Sequence, residues 1–134
     1  MTVLAWDPIR FDVGVPKLNA EHQAIVGLMN AIHDRATAGA AKPELEGLFQ
    51  KLASVTVGHF ADEEAYMESV AFPDLKSHKV IHQRLLADFT AHKAKFDAGN
   101  GQVDKAFFDC NALVSLGFFV ATLVDAWLLS RGGA

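Results

Sequence analysis

His59-Phe60-Ala61-Asp62-Glu63-Glu64 and His78-Lys79-Val80-Ile81-His82 are the two stretches that decide the fold of this 134-residue chain. Each places two metal-ligand side chains four residues apart, His59 with Glu63 and His78 with His82. On an α-helix, positions i and i+4 lie about 40° apart in azimuth and roughly 6 Å apart along the axis, so each pair presents two donors on one side of its helix. Both pairs fall where the surrounding spacing otherwise carries Leu, Ile and Phe. Two neighbouring helices of this kind can bring four ligands to one buried centre. That points to a metal cluster in the core of a helix bundle.

Outward from these stretches, the apolar spacing predicts four helices and one arm. Residues 1–17 contain Pro8, Gly14 and Pro16 and read as an extended arm. A first helix is expected from Asn19, a good N-cap, to about Ala38, with the seam Leu18, Ile25, Met29 and Ile32 and with His22 in the remaining seam position. A second runs from about Pro43 to Ser69 through Leu45, Leu48, Leu52, Val55, His59 and Tyr66. Phe72-Pro73-Asp74 breaks it. The third extends from about Asp74 to Ala98, where Gly99-Asn100-Gly101 ends it, and its seam is Leu75, His78, His82, Leu85, Phe89, His92 and Phe96. The fourth, from about Val103 to Ser130, is apolar almost all round. Short connections between helices of this length describe an all-α, up-down-up-down antiparallel four-helix bundle, a single domain over residues 1–134.

Composition narrows the function. A chain of this size buries roughly two-thirds of its unfolded surface, and 51% hydrophobic against 21% charged residues leaves a sizeable core even with polar ligands inside it. The net charge of −4 comes without a basic stripe, which argues against a nucleic-acid partner. The single cysteine, Cys110, excludes an internal disulfide and fits a reducing compartment. Met1-Thr2-Val3-Leu4-Ala5-Trp6-Asp7-Pro8 has neither the basic nor the apolar region of a signal peptide. The segment from Ala112 to Leu129 approaches the length of a membrane span, but Ser115 and Asp125 interrupt it and three amphipathic helices need a partner. The expectation is a soluble cytoplasmic protein with no membrane association.

A lone histidine in an apolar seam is usually a hydrogen-bonded core residue. Here His22, His59, His78 and His82 occupy seams of three helices, with Glu63 beside them. Buried without a metal, these groups would leave many donors and acceptors to satisfy, each unmet one costing on the order of 1–3 kcal/mol. A metal resolves that cost. Asp125, a carboxylate in an otherwise apolar helix, is either a further ligand or an isolated buried charge, and the second is heavily penalised. Glu64 should point about 100° round from Glu63, toward solvent or a rim. His33 and His92 lie about 15 Å along their helices from the nearest proposed ligand and are not expected to bind. Four imidazoles and two carboxylates suit two iron ions, although the same donors also accept Mn or Zn. No Glu-x-x-His occurs, which argues against the ferritin-like pattern.

At this point the sequence resembles the bacterial hemerythrins. The likeness runs from Trp6-Asp7 and Val13-Gly14-Val15 through Asn19-Ala20-Glu21-His22-Gln23, Leu28 and Asn30. It continues through His59-Phe60-x-x-Glu63-Glu64-x-x-Met67 and His78-x-x-x-His82. The resemblance implies that His22 and His59 bind one iron, that His78 and His82 bind the other, and that Glu63 and Asp125 bridge them. It also implies an oxo- or hydroxo-bridged non-haem di-iron cofactor that binds O2 or another small diatomic, serving storage, delivery or sensing. Members usually carry a fifth histidine five residues before the bridging aspartate, where this chain has Val120. The His78/His82 iron would then lack its third imidazole. An alternative reading follows, a di-iron enzyme that turns over peroxide or nitric oxide at the open position. A third is a bundle whose metal, such as zinc, only staples the helices.

Overall fold

The computed structural model describes residues 14–99, which form three α-helices: α1 (Pro16–Thr37), α2 (Lys42–Ser69) and α3 (Leu75–Ala98). No strand occurs among the described residues. The helix expected at 103–130, residues 1–13 of the expected arm, and with them Cys110, Val120 and Asp125, lie outside the described residues.

α1 begins at Pro16, three residues ahead of the start expected from Asn19. Proline has φ fixed near the helical value and no N–H to leave unsatisfied, so the first helical position suits it. Val15 supplies the extended cap residue (φ −121°, ψ 105°), and the Asn19 amide donates to the Val15 carbonyl at 3.0 Å. Asn19 therefore sits in the first turn instead of capping it. α2 opens in the same way, with Pro43 in its first positions and Glu44 at the positive end of the helix dipole.

Both inter-helix turns close with the same pair of crossed backbone bonds. After α1, the Ala40 amide donates to Arg35 and the Gly39 amide to Ala36, with Gly39 at φ 79°. After α2, the Phe72 amide donates to Met67 and the Ala71 amide to Glu68, with Ala71 at φ 55°. This is the Schellman arrangement, in which one left-handed residue satisfies carbonyls that the helix leaves open. Glycine takes that conformation freely and alanine does not.

The short turns make α1 and α2 antiparallel, and α2 and α3 likewise. Arg35 near the end of α1 pairs with Glu44 near the start of α2 (2.6 Å), while Lys17 at the start of α1 reaches Asp62 late in α2 (3.3 Å). Lys42 at the start of α2 donates to the Asp97 carbonyl at the end of α3 (2.8 Å) and lies over the Phe96 ring.

These directions sort the core into levels. Ile25, Met29 and Ile32 follow His22 along α1; Leu45, Phe49 and Leu52 precede His59 along α2; Phe96 follows His82 along α3. All seven therefore pack on one side of the histidines, with Phe49 centred 4.9 Å from Phe96 and 6.1 Å from Phe89. On the other side lie Leu18 with Val15 and Tyr66, and Met67 one turn beyond Glu63. The seam of α2 differs from the expectation: Phe49 and Met67 are buried, whereas Leu48, Val55 and Tyr66 are only half-buried. The line through Leu45, Phe49, Leu52, His59, Glu63 and Met67 keeps both His59 and Glu63 inward. Relative to the expected seam this line is turned by about 45°, which centres Glu63 on the core side while Tyr66 packs at its edge against Leu18.

Gly39→Ala is expected to lower stability by about 1 kcal/mol, all of it backbone strain, because a Cβ there would meet nothing within 4 Å. Ala71→Gly should raise stability by up to about 1 kcal/mol. Urea denaturation followed by circular dichroism checks both; equal and opposite shifts in midpoint are the expected result.

Candidate metal centre

α2 carries the centre of the site. His59 and Glu63, one turn apart, face the core together, and α1 adds His22 while α3 adds His78 and His82. All five are buried, none more than 4% exposed. The Glu63 carboxylate lies in the middle. Its Oε2 faces His22 Nε2 at 3.6 Å and His59 Nε2 at 3.0 Å, and its Oε1 faces His78 Nε2 and, at 3.2 Å, His82 Nε2. The imidazoles accordingly fall into two edge-to-face pairs. The His22 and His59 ring centres are 4.3 Å apart, and those of His78 and His82 are 4.2 Å apart.

This arrangement makes two sets of three donors that share one carboxylate: His22, His59 and Glu63, and Glu63, His78 and His82. Within each set the donor atoms lie within 4.8 Å of one another. Two donors bound at right angles to one ion at about 2.1 Å stand about 3 Å apart, so most of these separations already suit a shared metal. Imidazole nitrogen with carboxylate oxygen is a donor set for iron, zinc or copper, and a poor one for magnesium or calcium. The five residues fit a pair of transition-metal ions.

Burial and hydrogen bonding compete at each group. Desolvation alone would raise the Glu63 pKa, but the four imidazoles at its oxygens outweigh burial and hold it far below the usual carboxylate range. At His22 burial dominates and lowers the pKa, favouring the neutral ring that a metal needs. At His59 burial also lowers the pKa, but the carboxylates of Glu63 and Glu21 together overcome it and the net shift is upward.

Around the cluster, Phe60 stacks on the His82 ring with centres 3.9 Å apart and planes 8° from parallel. Glu64 is at the rim, with its nearest oxygen 3.8 Å from His82 Nδ1. His33 and His92 belong to neither donor set. Asp125 lies outside the described residues. Sequence reasoning passed over Glu21, which accepts a hydrogen bond from His59 Nδ1 at 3.2 Å across the α1–α2 contact. Its one sequence signal is a carboxylate directly beside a seam histidine. That signal alone does not say which ring on another helix the side chain will meet.

Replacing Glu63 with Ala is expected to abolish binding of two metals per chain while helix content stays near that of the parent; Glu64→Ala should keep both metals. Metal analysis alongside circular dichroism decides this, and the opposite pattern would mean that α2 is rotated from the register described. The metal-free protein should also lose stability in acid. The depressed pKa of Glu63 contributes stability that is complete above the ordinary carboxylate value of 4.5 and is lost as pH falls below it. The depressed pKa of His22 acts in the same direction below 6.5. His59, with its raised pKa, opposes them: its contribution is complete below 6.5 and fades as pH rises beyond that. Thermal midpoints of the metal-free protein should therefore fall from about pH 6 to about pH 4, and Glu63→Gln should flatten the lower part of the curve.

Comparison with known proteins agrees with this geometry. Residues 13–124 match the hemerythrin HHE cation binding domain. The bacteriohemerythrin of Methylococcus capsulatus is 28% identical over 105 residues, which cover 78% of this chain and 79% of that protein. The bacteriohemerythrin of Pseudomonas aeruginosa strain PAO1 is also 28% identical over 105 residues, 78% of this chain and 67% of that one. The myohemerythrin of Theromyzon tessulatum is 35% identical over 100 residues, 75% of this chain and 77% of that protein. No solved structure matches. The chain belongs to the hemerythrin family, whose members bind a non-haem di-iron centre, and the two His/Glu groups of its three described helices are able to hold metal.

Proposed function

We propose that this chain is an O2-binding protein in which His22 and His59 hold one iron, His78 and His82 hold the other, and Glu63 and Asp125 bridge the two. The observation that carries this reading is a single buried carboxylate whose two oxygens each face a different pair of imidazoles from three helices. A terminal ligand has no need of that symmetry; a bridge does.

Charge supports the rest of the ligand set. One carboxylate among neutral imidazoles cannot balance two divalent or trivalent cations in a low-dielectric core. Further anions are required, and Asp125 with an oxo or hydroxo bridge supplies them. Asp125 can approach only if residues 103–130 form the fourth helix of an antiparallel bundle around the site. None of the described helices is long and apolar enough to cross a membrane.

When bound, the iron pair supplies the position for O2 and the electrons that hold it. The residues of this chain do the remainder. The imidazole and carboxylate donors fix the two positions relative to one another before any metal arrives. The buried Met67 and Leu18 on one side, and Ile25 and Leu52 on the other, keep bulk water from the cluster. The Phe60 face holds the His82 ring in one plane.

Val120 carries a second reading. It stands five residues before Asp125, where the related proteins' resemblance implies a further histidine, and it leaves the His78/His82 iron one ligand short. An open iron would let peroxide or nitric oxide react and be released as product.

Anaerobic loading with two ferrous ions per chain, followed by O2, is the deciding experiment. A visible absorption band that appears with O2 and fades when O2 is removed is the expected outcome. A protein that the metal stabilises but that stays colourless with O2 would reduce the metal to a staple. Consumption of peroxide or nitric oxide without a reversible band would favour the enzyme. Val120→His should tighten the second metal by about tenfold, about 1.4 kcal/mol, and slow irreversible oxidation.

A further inference from the structure

The two halves of the cluster are alike at their inner nitrogens and unlike at their outer ones. His59 Nδ1 donates to Glu21 Oε1 at 3.2 Å. On the same α1–α2 contact, the Asp62 carboxylate pairs with Lys17 Nζ at 3.3 Å. The pairs Lys17–Asp62 and Glu21–His59 each cross between α1 and α2, and the second ends on a ring that faces Glu63. In the other half, His78 Nδ1 is buried with no hydrogen-bond partner among the described residues. His82 Nδ1 has Glu64 as its nearest acid, at 3.8 Å, which is beyond hydrogen-bond reach.

A carboxylate on the far nitrogen of a ligand histidine does two things. It holds the remaining proton on Nδ1 when a metal replaces the Nε2 proton that faces Glu63, and it raises the basicity of the Nε2 lone pair so formed. An imidazole without such a partner has no group to hold its Nδ1 proton, or its ring plane, when Nε2 gives up its own proton to a metal. The ring's orientation is also held by the anchored carboxylate, so less rotational freedom is lost when a metal binds.

We propose that Glu21 is the positioning residue of the His22/His59 half-site, and that its hydrogen bond from His59 makes this half the first to take a metal ion. Loading is then ordered: the half between α1 and α2 fills, fixes the Glu63 carboxylate, and presents its second oxygen to the ion that follows at His78 and His82. The order rests on the assignment of His22 with His59 and of His78 with His82 to separate ions.

Titration of metal-free protein with Zn2+, observed by NMR of the histidine ring nitrogens, tests the order without reference to O2. In the parent, the first equivalent should shift the signals of His22 and His59, and the second those of His78 and His82. Before any metal is added, His59 should show the Nδ1–H form in greater proportion than His78. Glu21→Ala should remove that preference, scramble the order and lower affinity at the first half by about 10–100-fold. Glu21→Gln, whose amide oxygen can still accept from Nδ1–H, should restore the order, which a loss of packing alone would not allow. Simultaneous movement of all four histidines, reversed order, or an unchanged order in Glu21→Ala would each overturn the role of Glu21. Failure to bind two ions at all would instead overturn the two-metal assignment beneath it.

Discussion

The Glu63 carboxylate sets the terms for everything around it. It is buried, it remains an anion, and it does so because imidazoles from three separate helices point their Nε2 atoms at its two oxygens. Moving an ionised carboxylate into a low-dielectric core without such partners would cost several kcal/mol after relaxation. Each helix therefore has its rotation fixed by the same group. A turn of α1 that withdraws His22, or of α3 that withdraws His78, leaves a buried charge with fewer donors. Register in most helical bundles comes from the shapes of apolar side chains alone; here it also comes from one hydrogen-bonded anion.

The apolar levels follow from that constraint. A polar cluster of five side chains weakens the core at the level where it sits, and the compensating burial is placed on either side of it. Ile32, Leu45, Phe49 and Phe96 close the side nearer the α1–α2 turn, each at most 2% exposed, and Met67 closes the other at 0%. Burying each of the larger side chains contributes about 1.5–3 kcal/mol, so the levels flanking the site carry the stability that the site itself does not. Metal binding adds to this, because ligands brought together only in the folded chain make binding energy into folding energy.

Family membership and geometry meet at the same residues. The family match spans 13–124, and within it the structure brings together His22, His59, Glu63, His78 and His82. Around that cluster stand the Glu21 carboxylate on one histidine and the Phe60 face on another. Outer contacts of this kind change how tightly metals are held while leaving the fold alone.

Much of this was legible in the sequence, and the reason is locality. The pairs His59–Glu63 and His78–His82 are set by helical geometry over a single turn, so their common facing needed no tertiary information. Helix ends at Gly39 and Phe72-Pro73 were legible for the same reason, as was the all-helical character of the described residues. The start of α1 at Pro16 was missed because two acceptable N-terminal signals, Pro16 and Asn19, compete within one turn. The seam of α2 was read off-centre: Leu48 and Tyr66 pack at the edge of the core while Phe49 and Met67 are fully buried, and hydrophobic spacing does not choose between adjacent faces. Only the tertiary structure chose, by holding Glu63 against histidines of two other helices. The bond from His59 to Glu21 belongs to the same class, joining positions 38 apart in sequence whose meeting depends on the offset between two antiparallel helices. The sequence by itself determined which residues share a helix face, since rise and twist are constant along the chain; tertiary packing decided which faces meet and at what height, since those depend on turns and side-chain contacts far apart in sequence.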